Sequence, residues 1–195
     1  MKRLAMVCVL FLIGNPVCAQ SIFKGLEYGM TKKEAKAEWK ANKNKYFPGI
    51  DLGNGFSYRT VKGNFEYKDD SLYAVMFDQS GQYRADIAFD YLIATRAYYQ
   101  GLGYDLFHEP DYWPGNWEES EYGSFTIDYK ANYGLLMSDP GKNLMVQIYV
   151  EEDWGTVAAT KYSMYITRVI IYIYDDFLQM WETGDVRSYI IGVGD

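Results

Sequence analysis

Histidine, cysteine and proline are nearly missing from this chain of 195 residues, with counts of one, two and five. Both cysteines, Cys8 and Cys18, fall within the first nineteen residues. From residue 20 onward there is no thiol for a disulfide, a nucleophile or a thiolate metal site. One histidine, His108, is too few for a typical zinc site, which draws on several His or Cys ligands. Any serine–histidine triad would have to use that one ring, and no Gly-x-Ser-x-Gly elbow accompanies it. Long apolar runs are scarce as well. The longest, residues 4–13, is about half of the ~20 residues a membrane span needs. Positive charge is in the minority, 19 Lys and Arg against 26 Asp and Glu, for a net charge of −7. An acidic surface repels phosphate backbones and anionic lipid, which sets nucleic acid and membrane aside as partners.

The apolar run at 4–13 has a telling setting. Lys2 and Arg3 precede it, Gly14-Asn15-Pro16 break it, and Val17-Cys18-Ala19 place small residues after it. This is the three-part pattern of a secretory signal peptide. We expect residues 1–19 to be cleaved near Ala19–Gln20, and residues 20–195 to work as a single α+β domain in the periplasm or outside the cell. The approach to Cys18, Asn15-Pro16-Val17, fits a lipid-attachment site poorly, so lipoprotein anchoring is not expected.

What the chain has in plenty is aromatic residues: 20 Tyr, 10 Phe and 5 Trp. Such rings suit the pleated surfaces of a β-rich core. The pattern predicts a first helix over about 32–45. Thr31 and Glu34 form a capping box, Met30 and Ala35 a hydrophobic staple, and Ala35, Trp39 and Tyr46 an apolar stripe among six lysines. Turn formers follow at Pro48-Gly49 and Gly53-Asn54-Gly55. Strands are expected at 56–61, 64–67 and 72–77. The alternation of Tyr83, Ala85, Ile87 and Phe89 adds another over 82–89, whose last residues could instead start the next helix. A second helix is expected over 91–100, capped by Asp90 and ended by Gly101 and Gly103. After a loop at 104–117, strands return at 125–130, 134–137, 143–150 and 162–174. The last is long and carries aromatics on both faces, so a bulge or bend within it is expected. A short helix over 176–182 closes the chain. The order gives two helix-then-antiparallel-meander units, with helices packed on one face of an antiparallel sheet.

Tyr28-Gly29-Met30-Thr31-Lys32-Lys33-Glu34-Ala35 resembles the Gly-Met-(Ser/Thr)-x-x-Glu-(Val/Ala) helix start of the SmpA/OmlA (BamE-like) envelope proteins. Tandem copies of that unit build the β-lactamase-inhibitor-protein-like fold. The chain as a whole is also similar to secreted proteins of Bacteroides-type bacteria. The resemblance implies a non-enzymatic envelope protein that binds or scaffolds other proteins through its sheet.

Candidate chemistry is sparse. No catalytic residue, cofactor or metal ligand is assigned. The acidic groups Asp69-Asp70, Glu118-Glu119, Glu151-Glu152-Asp153 and Asp175-Asp176 lack the spacing of an EF-hand loop. A glycosidase would need two of these carboxylates facing each other, which spacing alone does not reveal. The loop at 104–117 interleaves rings with Asp, Glu and Asn, the composition of sugar- and protein-binding surfaces. It names Tyr104, Phe107, His108, Tyr112, Trp113 and Trp117 as candidate contacts. The bland alternative is that this loop folds back and plugs one end of the sheet. The expected function is a binding module that contacts an envelope protein. The alternatives are a carbohydrate-binding protein using Tyr112, Trp113 and Trp117, and a hydrolase using acidic residues.

Overall fold

The computed structural model describes residues 20–60, 64–81, 83–109, 118–119, 125–126, 133–157 and 160–183. In chain order these form strands β1 (Ser21–Phe23) and β2 (Leu26–Glu27), then helix α1 (Lys32–Ala41). Strands β3 (Ile50–Gly53), β4 (Phe56–Arg59), β5 (Phe65–Lys68) and β6 (Ser71–Gln79) follow, then helix α2 (Ala85–Gly101). Next come β7 (Asp105–His108), β8 (Glu118–Glu119), β9 (Phe125–Thr126), β10 (Tyr133–Asp139), β11 (Leu144–Val157) and β12 (Thr160–Ile173), and helix α3 (Tyr174–Thr183). The class is α+β. Residues 1–19, the signal segment of the sequence reading, lie outside the described residues. So does most of the strand expected over 125–130. Among the described residues no helix is long and apolar enough to cross a membrane.

The main sheet is antiparallel throughout, in the order β3-β4-β6-β12-β11-β10-β7. Strands β4 and β5 share one edge of β6, β4 at Asp78 and Gln79, β5 over Ser71–Val75. Side chains alternate across the sheet. Val75, Phe77, Val146, Ile148, Val169 and Ile171 meet Ala35 of α1 and Ala88, Tyr91, Leu92 and Tyr99 of α2. Their neighbours Ala74, Met145, Ile170 and Tyr172 turn the other way and meet Phe177 of α3. The helices therefore lie on both faces, a correction to the one-face arrangement expected above. The reason is visible in β12: Val169-Ile170-Ile171-Tyr172-Ile173 is apolar at every position, and a strand buried on both sides needs a cover on each.

The capping box forms as read. The Thr31 N–H donates to the Glu34 carboxylate at 2.9 Å, and the Glu34 N–H donates to the Thr31 hydroxyl at 3.3 Å. The same contacts hold the exposed Glu34 carboxyl below its ordinary pKa. Thr31→Ala should cost about 1 kcal/mol of stability, read as a lower urea midpoint at unchanged slope. The helix stops at Ala41 rather than running to 45. A 3-10 turn, Lys43–Tyr46, replaces its last turn and delivers Tyr46 to the core, where its hydroxyl donates to Glu38 at 2.9 Å.

Two elements differ from the sequence reading. Residues 85–89 take the helical option and start α2, and the cap position is Arg84 rather than Asp90. Ala88, Tyr91, Leu92, Thr95 and Tyr99 are buried at helical spacing, and this stripe overrides the local alternation. The hydroxyl of Thr167 on β12 donates to the Ala88 carbonyl at 2.6 Å and ties this first turn to the sheet. Residues 105–108 are the edge strand β7, paired with β10, rather than loop. The expected bulge in the last strand is also displaced. β12 keeps an unbroken register with β11, and irregularities sit instead in β6, where Tyr73 is skipped between the pairs Glu66↔Ala74 and Tyr67↔Leu72, and in the β3–β4 and β7–β10 pairings.

β11 and β12 are longer than read. Among the described residues, β10 pairs with β11 as far as Val150 and β6 pairs with β12 at Arg168–Tyr172. The pairs from Glu151↔Ile166 to Val157↔Thr160 continue as a two-stranded ribbon. Among the described residues no named strand flanks this ribbon. Near its base the Tyr165 N–H donates to the Tyr83 carbonyl at 2.9 Å. Where β6 swings away to join β4, Gln79 takes over the ladder with its side chain, accepting the Thr167 N–H at 2.6 Å.

Candidate functional site

The six residues singled out at 104–117 do not form one described surface. Tyr112, Trp113 and Trp117 lie outside the described residues. Tyr104 is buried in the core beneath α2, its ring edge-on to Tyr99 at 5.1 Å. Phe107 and His108 sit on the opposite side of the sheet, against α3. Phe107 meets Trp181 at 5.8 Å and His108 meets it at 5.3 Å. The His108 Nε2 is enclosed and meets no hydrogen-bond partner among the described residues. Tyr104 precedes β7, whereas Phe107 and His108 are consecutive β7 residues that both reach Trp181 where the β7–β10 register shifts. The three described members of the group act as core and helix anchors.

The structure instead brings together a polar cleft that no sequence stretch announces. It encloses about 280 Å³ and is lined by Tyr28, Lys68, Asp69, Ser71, Tyr73, Asp176, Gln179 and Met180. Three elements contribute. The first is the segment before α1. Its backbone is stitched to β6, with the Gly29 N–H donating to the Leu72 carbonyl at 2.9 Å and the Leu72 N–H to the Met30 carbonyl at 2.8 Å. That holds Tyr28 at the rim.

The second element is the β5–β6 hairpin. Its two-residue turn places Asp69 and Asp70 at φ 50° and 61°, the left-handed pair that such a turn requires. It projects Lys68, Asp69 and Ser71 toward the cleft, while the bulge at Tyr73 supplies a ring. The third is α3, whose first residues are set by Asn143. The Tyr174 N–H donates to the Asn143 carbonyl at 3.0 Å, and the Asp175 N–H to its side-chain oxygen at 3.2 Å. With Tyr174, Phe177 and Trp181 against the sheet, Asp176, Gln179 and Met180 fall along the cleft wall.

No protein family, curated protein or solved structure matches this chain.

Interaction with the Asp176 carboxylate, together with partial burial, raises the Tyr28 phenol above its ordinary pKa. The lining therefore carries two carboxylates, one ammonium, an amide, hydroxyls and two aromatic rings. Among the described residues no group of three or more His, Cys, Asp or Glu stands ready to hold a metal ion. Of the acidic pairs weighed from the sequence, Asp69-Asp70 and Asp175-Asp176 each lend one member to this cleft. Nothing in the sequence joined residues 28, 69, 73 and 176, because the hairpin and helix contacts that gather them are long-range.

Proposed function

We propose that this chain is an exported, non-enzymatic binding module that contacts another envelope protein. The observation that favours the reading is the β11–β12 ribbon, whose seven pairs from Glu151↔Ile166 to Val157↔Thr160 have no named strand beside them among the described residues. A long antiparallel ribbon is a form of backbone that a partner strand can extend by edge pairing. The proposal includes removal of residues 1–19 as a signal peptide and a working place in the periplasm or at the cell surface.

It also includes a two-unit plan in the manner of the BamE-like and β-lactamase-inhibitor-protein-like folds. Support comes from the strand order, with α1 preceding β3–β6, α2 preceding β7–β12, and the two sets meeting at β6 and β12. A photocrosslinker at Thr156 on the ribbon, used on whole envelopes of the source cells, should give one discrete adduct with an envelope protein. The same label at Ala97 on the exposed side of α2 should not. Equal labelling from both positions, or no adduct from Thr156, rejects the ribbon as the contact.

A further inference from the structure

We propose that the cleft between the β5–β6 hairpin, Tyr28 and α3 is a binding site for a single neutral pyranose ring. This assignment does not rest on the ribbon. Its size points to a small ligand: about 280 Å³ sits just below the roughly 300 Å³ at which drug-sized pockets begin. A dinucleotide or a folded peptide segment is too large for it.

The lining chemistry narrows the class. Tyr28, Tyr73 and Met180 supply flat or soft apolar surface, which suits the C–H faces of a sugar ring. Asp69 and Asp176 accept hydrogen bonds, Lys68 donates them, and Ser71, Gln179 and the tyrosine hydroxyls do both. A ligand rich in hydroxyls, each both donor and acceptor, answers all of these at once. An anion would face two carboxylates against one ammonium, and a cation would face Lys68. A neutral polyol meets neither cost.

The groups are also held before any ligand arrives. The segment carrying Tyr28 is stitched to β6 by backbone hydrogen bonds, the hairpin turn is fixed by its left-handed pair, and α3 is set in register by Asn143. Little ordering remains to oppose binding.

The test is an NMR titration of isotope-labelled protein with D-glucose, D-galactose, D-mannose, N-acetyl-D-glucosamine, D-glucuronate and choline, each added separately. At least one neutral sugar should shift the Tyr28, Tyr73 and Met180 resonances, with a dissociation constant on the order of 1 mM. Tyr28→Ala and Gln179→Ala, both at exposed positions, should each weaken it about tenfold while the thermal midpoint stays close to that of the parent. The assignment is overturned if no neutral sugar moves these resonances. Undiminished binding in the Tyr28→Ala, Gln179→Ala double variant overturns it too. So does stronger binding of glucuronate or choline than of every neutral sugar. Release of nitrophenol from nitrophenyl glycosides, lost in Asp176→Asn, would likewise replace it with a hydrolytic site.

Discussion

Replacing Gly49 by alanine lowers stability by about 3–5 kcal/mol, a large part of the roughly 5–15 kcal/mol a domain possesses. Gly49 sits at φ 40°, and a Cβ there would lie 2.5 Å from the Tyr58 carbonyl oxygen. It would also lie 3.2 Å from Cδ1 of the buried Phe77 and 3.3 Å from the Thr60 N. None of these neighbours is the free end of a flexible chain. The Gly49 N–H donates to the Tyr46 carbonyl at 2.9 Å, and the Thr60 hydroxyl donates to that same carbonyl at 3.0 Å. Lys24 Nζ donates to the Gly49 carbonyl at 2.8 Å. The backbone is pinned from several sides and has nowhere to retreat. Gly55 is the control: its φ is 86°, yet nothing lies within 4 Å of its missing Cβ. Gly55→Ala should cost only the left-handed backbone penalty, about 1–2 kcal/mol. Urea midpoints distinguish the two, and equal losses at both positions would refute the steric account.

The second large effect is alkaline. Burial raises four phenols above their ordinary pKa: Tyr46, Tyr58, Tyr99 and Tyr104. At Tyr46 the Glu38 carboxylate adds to it. At Tyr104, pushed up to about 12, the charge of Asp139 does the same. An acid whose pKa is raised by folding holds its proton more tightly in the folded chain. The stability it contributes is complete below the unfolded value near 10 and is lost as pH climbs through the folded value. Within that window each such phenol removes about 1.4 kcal/mol per pH unit. Four together remove about 5 kcal/mol by roughly pH 11, comparable with the whole stability of a modest domain. The expected result is cooperative unfolding between about pH 10 and 12, with tyrosinate absorbance and loss of far-ultraviolet circular dichroism rising together. Tyr104→Phe should make that fall in stability shallower. Smooth titration of all tyrosines near 10 with the dichroism intact would contradict this picture.

What was readable in advance was local. The capping box at Thr31 and Glu34 needs only four consecutive residues, and it formed as the spacing implied. The turns at Asn54-Gly55 and Asp69-Asp70 are likewise short-range chemistry. The stretch 82–89 misled because Ala85, Ile87 and Phe89 suit a strand as well as a helix. The arbiter was the buried stripe from Ala88 to Tyr99, continuous with it. β7 was hidden by the prolines and rings that follow it, which made the whole of 104–117 read as loop. The two-sided apolar character of β12 was visible, but it was ascribed to a bend. It signals instead a sheet covered on both faces, and with it the placement of α3. The cleft depends on that placement: Asp176 and Gln179 reach Tyr28 only because α3 crosses back over the start of β6.

The seam between β6 and β12 also governs when the molecule can be finished. Val75 pairs with Ile171, and the Gln79–Thr167 bond joins residues 88 apart in the chain. Until the last strand has emerged, β6 offers an unpaired edge flanked by Leu72, Val75 and Phe77. The sheet therefore closes late, as a slow event of high contact order, and the first half must survive the wait with a sticky edge exposed. The final strand sets the pace of assembly, and truncation before Ile173 leaves an aggregation-prone half-sheet rather than a smaller working domain.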